Sequence, residues 1–130
     1  MTSEKQIEQE IQAKGLNAPR LTPDHIDNQI VSEIYITGND AIHAAASSAT
    51  GLIRSEYKEG VNLLKPAETL TFCILILRNG FTVTGESACA SPENFNAEIG
   101  RKIARENARE KIWLLEGYLL KEKLSKGGAV

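Results

Sequence analysis

The strongest pattern of apolar and polar residues lies between positions 69 and 120. Residues 69–77 (TLTFCILIL) form an apolar run rich in β-branched side chains, and residues 81–86 (FTVTGE) alternate between apolar and polar side chains. The Asn79-Gly80 pair between them favours the two-residue type I′ turn of a hairpin, because both central positions of that turn need positive φ values. The two runs therefore predict an antiparallel β-hairpin.

The predicted turn also determines which residues of the hairpin face each other. With Asn79-Gly80 at its centre, Ile76 lies opposite Val83 and Leu75 lies opposite Thr84. Both faces of the first strand are apolar, which predicts that helices or a second subunit cover it on both sides. A two-stranded ribbon is only marginally stable, so the rest of the sheet is expected from the connecting segment or from another copy of the chain.

The longest helical pattern follows the hairpin. Ser91-Pro92 is a helix-start signal, with a hydroxyl cap and a proline at the first helical position, and helical spacing continues over residues 96–123. The main apolar face of this helix consists of Ala104, Ala108, Ile112, Leu115 and Leu119, and a second apolar line consists of Trp113, Leu120 and Leu124. Two apolar faces indicate either contact with the sheet and with a neighbouring protomer or one larger intramolecular core.

The start of the chain has a weaker helical pattern. Ser3 and Gln6 form a capping-box pair for a marginal helix over residues 3–14, and Gly15 is placed to end it. Only two or three apolar residues line one face of this helix. Residues 16–21 read as a linker to the next element.

Two further helices are predicted before the hairpin. Thr22-Pro23 opens the first of them. Its apolar positions recur at helical spacing and are Ile26, Ile30, Val31 and Ile34. A weaker helix is predicted from about position 40 to position 50, whereas residues 51–66 have no assignable pattern.

Together these patterns predict an α+β fold. An antiparallel hairpin, as part of a small sheet, packs against the long C-terminal helix and one or two N-terminal helices. At 130 residues the chain has the size of one ordinary domain. We therefore predict a single domain over residues 22–130, preceded by an arm over residues 1–21 that is either helical or frayed.

Composition narrows the classes of function. The net charge is −2, so the chain has no overall basic excess to hold a nucleic acid, and nucleic-acid binding is disfavoured. The first ten residues are polar, and no apolar run approaches the roughly 18 residues of a membrane span. Cys73 and Cys89 are the only cysteines, which does not suggest a disulfide framework. The expectation is a soluble, intracellular protein that does not enter membranes.

Three arginines are the main candidates for ligand binding. Arg101, Arg105 and Arg109 are four residues apart, so they form a stripe along three turns of the last helix. In one interpretation the stripe is a solvated surface whose charges pair with acidic neighbours. Those neighbours on the same helix are Glu98, Glu106 and Glu110. In the other interpretation the guanidinium groups bind phosphate, which their planar forks fit well.

The second interpretation adds a helix start and two aromatic rings to the arginines. Residues 91–96 (SPENFN), including Ser91 and Asn94, would present backbone N–H groups to an anion. Phe81 and Phe95 would provide stacking surfaces for a base. Together these residues predict a pocket for a nucleotide-like or otherwise phosphorylated ligand.

The sequence contains no arrangement typical of catalysis or metal binding. His25 and His43 are the only histidines, and neither has a cysteine or a second histidine at ligand spacing, which argues against a zinc site. Cys89 lies near a helix start, a position that can activate a thiol, but the sequence does not place a histidine beside it. We predict no enzyme activity, no catalytic residue, no metal and no cofactor.

The hairpin and the last helix resemble a known family. The runs NGFTVTGESAC, SPENF and IGRKIARENA are similar to the shared block of the phage gene 49 and gene 66 family of small tailed-bacteriophage proteins. The resemblance covers residues 69–124 and extends more weakly over IVSEIY near Ile30, leaving the first twenty residues outside. It implies a phage gene product made in the cytoplasm of a bacterial host, and it implies no particular activity. Leu114 replaces the proline of the family's IWPLEGY stretch, which predicts a more continuous last helix.

This resemblance leads to two hypotheses, both of which involve binding. In the first, an oligomeric protein sequesters a phosphorylated nucleotide-type signal of bacterial anti-phage immunity with the arginine stripe, and a homo-oligomer is the expected state. The alternative is an inhibitor that binds a host bacterial protein without a small-molecule ligand. Its contact surface would be the Trp113, Leu120 and Leu124 line or the N-terminal arm.

Overall fold

The computed structural model describes residues 3–49, 51 and 64–127. Within these ranges the chain forms a three-stranded antiparallel sheet with one long helix packed against its inner face. The helices are α1 (Glu4–Ala13), α2 (Pro23–Asn28), α3 (Gly38–Ser47) and α4 (Ala97–Ser125). The strands are β1 (Ile30–Thr37), β2 (Leu70–Leu77) and β3 (Thr82–Ala88), and short 3-10 turns cover Lys65–Thr69 and Pro92–Asn94. This architecture confirms the predicted α+β fold.

The predicted second helix is wrong over its second half. Thr22 caps α2 as expected, because its Oγ1 accepts a hydrogen bond from His25 N at 3.1 Å, but the helix ends at Asn28. Residues 30–37 (IVSEIYIT) form β1 and pair antiparallel with β2. β-Branched side chains lose χ1 freedom in a helix and pack well on a pleated sheet. Pairing with an apolar strand therefore outweighs the four-residue spacing that predicted a helix.

β2 is the central strand of the sheet, which has the order β1-β2-β3. The third strand comes from the part of the chain before α3. This source of the third described strand differs from the two that the sequence suggested, which were the connecting segment and another copy of the chain. Of that connecting segment, which the sequence left unassigned over residues 51–66, residues 52–63 lie outside the described ranges.

The hairpin loop is one residue longer than the predicted type I′ turn. Gly80 has a φ of +88°, whereas Asn79 does not have a positive φ. Gly80 N donates to Leu77 O and Leu77 N donates to Phe81 O, both at 2.8 Å, so residues 78–80 form a three-residue loop. A type I turn followed by a left-handed glycine is common in such loops. The strand register shifts by one residue, which exchanges the two faces of β3 relative to the prediction.

The observed register brings apolar residues of the two hairpin strands together beneath α4. Leu75 lies opposite Val83, and Cys73 lies opposite Gly85. A Cβ at Gly85 would collide with backbone atoms of α4, so helix and strand are in direct backbone contact at this point. The buried hydrophobic residues of the core are Ile26, Cys73, Leu75, Leu77, Val83, Ala104, Ala108 and Ile112.

The predicted packing face of the last helix is buried only over its first half. Ala104, Ala108 and Ile112 are fully buried, and Leu115 packs partly against the core, but Leu119 is 44% exposed. The 29 residues of α4 extend over about 43 Å, whereas the eight residues of β2 extend over about 26 Å. The helix is therefore longer than the sheet, and the sheet cannot cover the C-terminal end of α4.

The outer face of the sheet is only partly covered by the residues that the structure describes. Phe72, Ile74 and Ile76 of β2 are half-buried there, whereas the inner residues of the same strand are buried. Ile34 of β1, which pairs with Ile74, is 41% exposed. We predicted that both faces of β2 are covered. The described residues cover the inner face fully and the outer face only in part.

The ends of α1 and α3 follow local capping rules. Ser3 Oγ accepts a hydrogen bond from Gln6 N at 3.1 Å, and Gln6 Oε1 accepts one from Ser3 N at 3.0 Å, which is the predicted capping box. Gly15 follows α1 with a φ of +64°, a conformation that favours glycine. Thr37 caps α3, because its Oγ1 accepts a hydrogen bond from Asp40 N at 3.0 Å.

Candidate functional site at the start of the long helix

The long helix begins later than the Ser91-Pro92 signal predicted. Pro92–Asn94 forms a single 3-10 turn without a side-chain cap from Ser91. α4 starts after Asn96, whose Oδ1 accepts a hydrogen bond from Ile99 N at 3.0 Å. Asn96 is therefore the N-cap of the helix.

This later start changes which backbone groups an anion could meet. Within residues 91–96, the N–H groups of Asn94 and Phe95 donate to carbonyl groups of their own turn at 2.9 and 3.1 Å. The N–H groups of Ala97 and Glu98, in the first turn of α4, have no intrahelical acceptor. An anion at this end of the helix would meet those two groups and the positive end of the helix dipole.

Arg109, at one end of the arginine stripe, is buried and fully paired. Only 7% of its side chain is exposed. Its Nη1 and Nη2 donate to the two carboxylate oxygens of Glu4 at 2.6 and 2.7 Å, and its Nε donates to Asp27 Oδ1 at 2.8 Å. The hydrogen bonds with Glu4 raise the pKa of Arg109 above its ordinary value. Arg109 thus links α4 to both α1 and α2.

Arg105 and Arg101 are more exposed. The guanidinium of Arg105 is ion-paired with Glu33 of β1, and 32% of its side chain is exposed. Arg101 is exposed, and it has no ion pair within the described part of the chain. The acidic partners of the stripe come from other elements, and not from the acidic residues of the same helix that the sequence suggested.

A small cavity opens beside Arg101, where the ends of β1 and β2 meet the first turns of α3 and α4. Its volume is about 270 Å³. Its lining residues are Tyr35, Ile36, Thr37, Asp40, Thr71, Ala97 and Arg101. We call it the Arg101 cavity. Its lining contains one cation, Arg101, and one carboxylate, Asp40.

Thr71 gives this cavity an unpaired polar group. Thr71 is 2% exposed, and its Oγ1 has no hydrogen-bond partner among the described residues. A buried hydroxyl without a partner costs roughly 1–3 kcal/mol, so such groups mark places where a ligand or water can bind. Gly100 of α4 packs closely against this hydroxyl, because a Cβ there would lie only 2.9 Å from Thr71 Oγ1.

Tyr35 also lines this cavity. Its Oη donates to Glu33 Oε1 at 3.3 Å. Partial burial, together with the charge of Glu33, raises the pKa of Tyr35 to about 12. Tyr35 therefore stays protonated at neutral pH and remains a hydrogen-bond donor.

Of the two predicted stacking residues, Phe95 lies near this cavity and Phe81 does not. The Cε1 atom of Phe95 lies 3.6 Å from the position that a Cβ on Gly100 would occupy. Phe81 follows the hairpin loop and is 55% exposed. The eight residues of β2 separate that loop from the cavity by roughly 25 Å. The structure does not bring Phe81 and Arg101 together.

None of the histidines and cysteines lines the Arg101 cavity. His25 Nε2 lies 2.7 Å from a carboxylate oxygen of α4, and His43 is exposed on α3. Cys73 is buried, which raises the pKa of its thiol, and Cys89 Sγ donates to a backbone carbonyl at 3.1 Å. In the described ranges, no group of three or more His, Cys, Asp or Glu side chains is placed to hold a metal ion.

Sequence reasoning missed the residues that determine the roles of the arginines. Glu4, Asp27 and Glu33 lie 72 to 105 positions before the arginines that they pair with. No local pattern connects residues at such distances. Thr71 did carry a signal, because it is the polar residue on the buried face of an otherwise apolar strand.

The fold and the cavity define a small α+β protein, with a long helix on one face of a three-stranded antiparallel sheet and a polar hollow at the helix start. The chain belongs to the phage protein (N4 Gp49/phage Sf6 gene 66) family, whose family model matches residues 21–124. This match confirms the resemblance predicted from the hairpin and the last helix, and it begins after α1. Searches among curated proteins and among solved structures found no match. No described helix combines the length and the hydrophobicity needed to cross a membrane.

Proposed function

We propose that this phage-family protein acts by binding and sequesters a phosphorylated, nucleotide-type signal of bacterial anti-phage immunity. The observation that carries the proposal is the Arg101 cavity. It combines the exposed guanidinium of Arg101, the first N–H groups of α4 and the hydroxyl of Thr71, none of which has an ion-pair or hydrogen-bond partner among the described residues. Guanidinium forks and helix N-termini are the groups with which proteins most often hold phosphate.

Each polar group of the cavity suits a different part of a nucleotide. Arg101 and the helix start would bind a phosphate, because both supply donors and positive charge. Asp40 would repel a phosphate, so it suits a ribose hydroxyl or a base N–H group, to which a carboxylate is an acceptor. Thr71 and Tyr35 would complete the hydrogen bonds. Phe95, which lies beside Gly100, is the residue that we assign to packing against the base or the sugar.

The size of the cavity supports a homo-oligomer. Small-molecule sites usually enclose roughly 300–1,000 Å³. The Arg101 cavity, at about 270 Å³, would enclose only part of a cyclic dinucleotide or a larger ligand. We propose that a second copy of the chain covers the remainder. The half-exposed outer face of the sheet and the far end of α4 offer apolar surface for such contact.

The other arginines have different roles in this proposal. Arg105 lies one turn from Arg101, and its partly exposed pair with Glu33 could open so that Arg105 contacts a second phosphate. Arg109 is buried, and its donors are bonded to Glu4 and Asp27, so we assign it to the stability of the fold. Phe81 is too far from the cavity to take part within one copy of the chain.

The test is thermal denaturation and calorimetry with cyclic dinucleotides, cyclic trinucleotides and cyclic ADP-ribose variants. A ligand at 100 times its Kd adds about 2.7 kcal/mol to the free energy of unfolding, which raises Tm measurably. Arg101→Ala should abolish this shift. The matched control is Lys102→Ala, because Lys102 is exposed and, among the described residues, is paired only with Glu98. The absence of a shift with every ligand at millimolar concentration would contradict the proposal.

A second candidate function is inhibition of a host bacterial protein. The observation that favours it is the exposed apolar surface at the far end of α4, where Leu114 is 79% and Tyr118 is 73% exposed. Leu124 of the predicted contact line is 41% exposed, whereas Trp113 and Leu120 are half-buried. Exposed apolar patches of this kind often mark protein contacts.

An affinity capture from bacterial lysate separates the two candidates. Inhibition requires a stoichiometric host protein that wild-type protein retains and that Leu114→Glu/Tyr118→Glu loses. Sequestration requires no host protein. It requires that a nucleotide ligand raise Tm and that Arg101→Ala abolish this rise.

A further inference from the structure

A second and larger cavity lies between α1 and α4. Its volume is about 750 Å³, which is within the range of sites that hold a ligand or a peptide side-chain cluster. Its apolar lining includes Ile7 and Ile11 of α1, Leu21 of the linker and Trp113 of α4. Glu106 and Glu110 also line it. We call this region the α1–α4 groove.

One carboxylate contact holds α1 against this groove. Arg109 donates two hydrogen bonds to Glu4, and Trp113 Nε1 donates a third to the same carboxylate at 3.1 Å. The fork of Arg109 is fixed in place, because it also donates to Asp27 and to Pro23 O. Two donors of the buried, pre-oriented Arg109 and one donor of Trp113 thus converge on Glu4 and form a receptor for one carboxylate group.

α1 fills this groove poorly. It has no buried residue, Ile7 is 46% exposed, and the cavity remains open beneath it. Its second anchor is also polar, since Arg20 donates to both carboxylate oxygens of Glu8 at 2.6 and 2.7 Å. Gly15 ends the helix with a left-handed φ. α1 lies outside the part of the chain that matches the family. Apart from Ser3, which caps α1, the other residues that line the groove belong to the part of the chain that matches the family.

We propose that the α1–α4 groove is a docking site for an amphipathic helix of another protein, which displaces α1. The partner helix has a carboxylate in its first turn, as Glu4 does, and apolar side chains three and seven positions later, as Ile7 and Ile11 do. Those side chains are larger than isoleucine, because isoleucine leaves the cavity open. The remaining surface of the partner helix is neutral or basic, because Glu106 and Glu110 would repel further acids.

A second copy of this chain fits the groove less well than such a partner. Its α1 would bring the same two isoleucines and leave the same cavity open. Filling apolar space adds to affinity roughly in proportion to the area removed from water. A helix with phenylalanine at the two isoleucine positions is therefore the better occupant, and this difference can be measured.

The experiment uses synthetic peptides of residues 2–16 and the fluorescence of Trp113, which is the only tryptophan of the chain. One peptide has the natural sequence, one carries Ile7→Phe and Ile11→Phe, and one carries both changes with Glu4→Gln. The full-length protein is titrated as wild type and as the Glu4→Gln variant, in which α1 is a weaker competitor. Glu8→Gln is the matched second variant, because it loosens α1 through Arg20 and leaves the carboxylate receptor unchanged.

We expect the phenylalanine peptide to bind both variants at least about tenfold more tightly than its glutamine version, which lacks the charged contact. The phenylalanine peptide should also bind the Glu4→Gln and Glu8→Gln proteins more tightly than it binds the wild-type protein, because α1 competes less in the variants. Saturation should speed amide hydrogen exchange in α1 of the protein, because that helix is displaced. Substitution of Arg101 should leave this binding unchanged, so the result is independent of nucleotide binding.

Three results would overturn the proposal. They are no saturable change with any peptide in either variant, equal affinity for the glutamate and glutamine versions, or unchanged exchange in α1 at saturation. If the natural peptide binds as tightly as the phenylalanine peptide, a second copy of the chain is the better occupant and the stated partner chemistry is wrong.

Discussion

The two ends of the arginine stripe on α4 have opposite surroundings. Arg109 is 7% exposed, and Glu4 and Asp27 neutralise it from two other helices. Arg101, two turns away on the same helix, is exposed and lines a cavity with Thr71, whose hydroxyl has no partner in the described part of the chain. The side chains and their spacing are identical. The elements that pack beside them differ, and they make one arginine a structural link and leave the other free to bind.

This difference follows from the geometry of the sheet and of α4. Near Arg109, α2 and α1 lie against α4 and bring carboxylates from two directions. Near Arg101, β1 ends and β2 begins, and the first turn of α3 leaves space beside the start of α4. A buried cation requires partners, whereas a cation beside a hollow keeps its donors available.

Substitution of the buried arginine is expected to have the largest effect. Arg109→Ala should lower the free energy of unfolding by about 2–4 kcal/mol, because it removes a buried side chain and leaves two carboxylates without their partner. Both carboxylates remain partly exposed, which keeps the loss below the full penalty of a buried charge. Denaturant unfolding measures this change as a lower midpoint with an unchanged m-value.

Arg101→Ala is the control for this comparison. Arg101 is exposed and has no described ion pair, so its loss should change the free energy of unfolding by no more than about 0.5 kcal/mol. Equal losses for the two variants would show that the two ends of the stripe do not differ in the way that the structure indicates.

Thr71→Val, in the cavity beside Arg101, is expected to raise the free energy of unfolding, whereas Arg109→Ala lowers it. Valine has nearly the same shape and removes a buried hydroxyl that has no described partner, so the free energy of unfolding should rise by about 1 kcal/mol without ligand. The same change should weaken binding of a phosphorylated nucleotide. Thr82→Val, at an exposed position of β3, is the matched control. A loss of stability in Thr71→Val would indicate that the hydroxyl has a partner, such as a bound water.

The hairpin and the long helix could be predicted from sequence because their signals are local. An Asn-Gly pair between two β-rich runs and a 3.6-residue periodicity each act within a few residues. The exact register could not be predicted, because Asn79-Gly80 fits both a two-residue and a three-residue loop. Packing decides between them. The observed register places Val83 and Gly85 beneath α4, whereas the predicted one would place Thr84 there.

β1 and the candidate site depend on distant parts of the chain. Residues 30–37 have apolar positions that fit either a helix or a strand, and the choice depends on pairing with β2 some 40 positions later. The same holds for Arg109, whose partner Glu4 is 105 positions earlier. The arginine stripe could therefore be predicted from sequence, but the division of its members between structure and binding could not.

The contact between Glu4 and Arg109 should make the buried end of the stripe sensitive to acid. Hydrogen bonds from Arg109 hold the pKa of Glu4 below its ordinary value. A carboxyl with a lowered pKa in the folded state stabilises that state fully above its unfolded pKa, near 4.5. This stabilisation is lost as pH falls through the lowered pKa.

The expected loss is about 1 kcal/mol after allowance for the partial exposure of Glu4. Fluorescence of Trp113, which donates to the same carboxylate, should report the release of α1 as the pH falls below 4.5. Glu4→Gln should remove this part of the acid response. Glu10→Gln, at an exposed position of the same helix, should retain it. If Glu4→Gln keeps the full fluorescence change in acid, another titratable side chain causes that change.

The smallest expected effect concerns Arg105, which lies between the two ends of the stripe. Its pair with Glu33 has about a third of each side chain exposed, so a double-mutant cycle with Arg105→Ala and Glu33→Ala should give a coupling energy of about 0.5 kcal/mol. The coupling should fall towards zero when a phosphorylated ligand occupies the Arg101 cavity and Arg105 turns to it. A coupling above about 2 kcal/mol that persists with ligand would place Arg105 with Arg109 as a structural residue, and Arg101 would then be the single arginine left for binding.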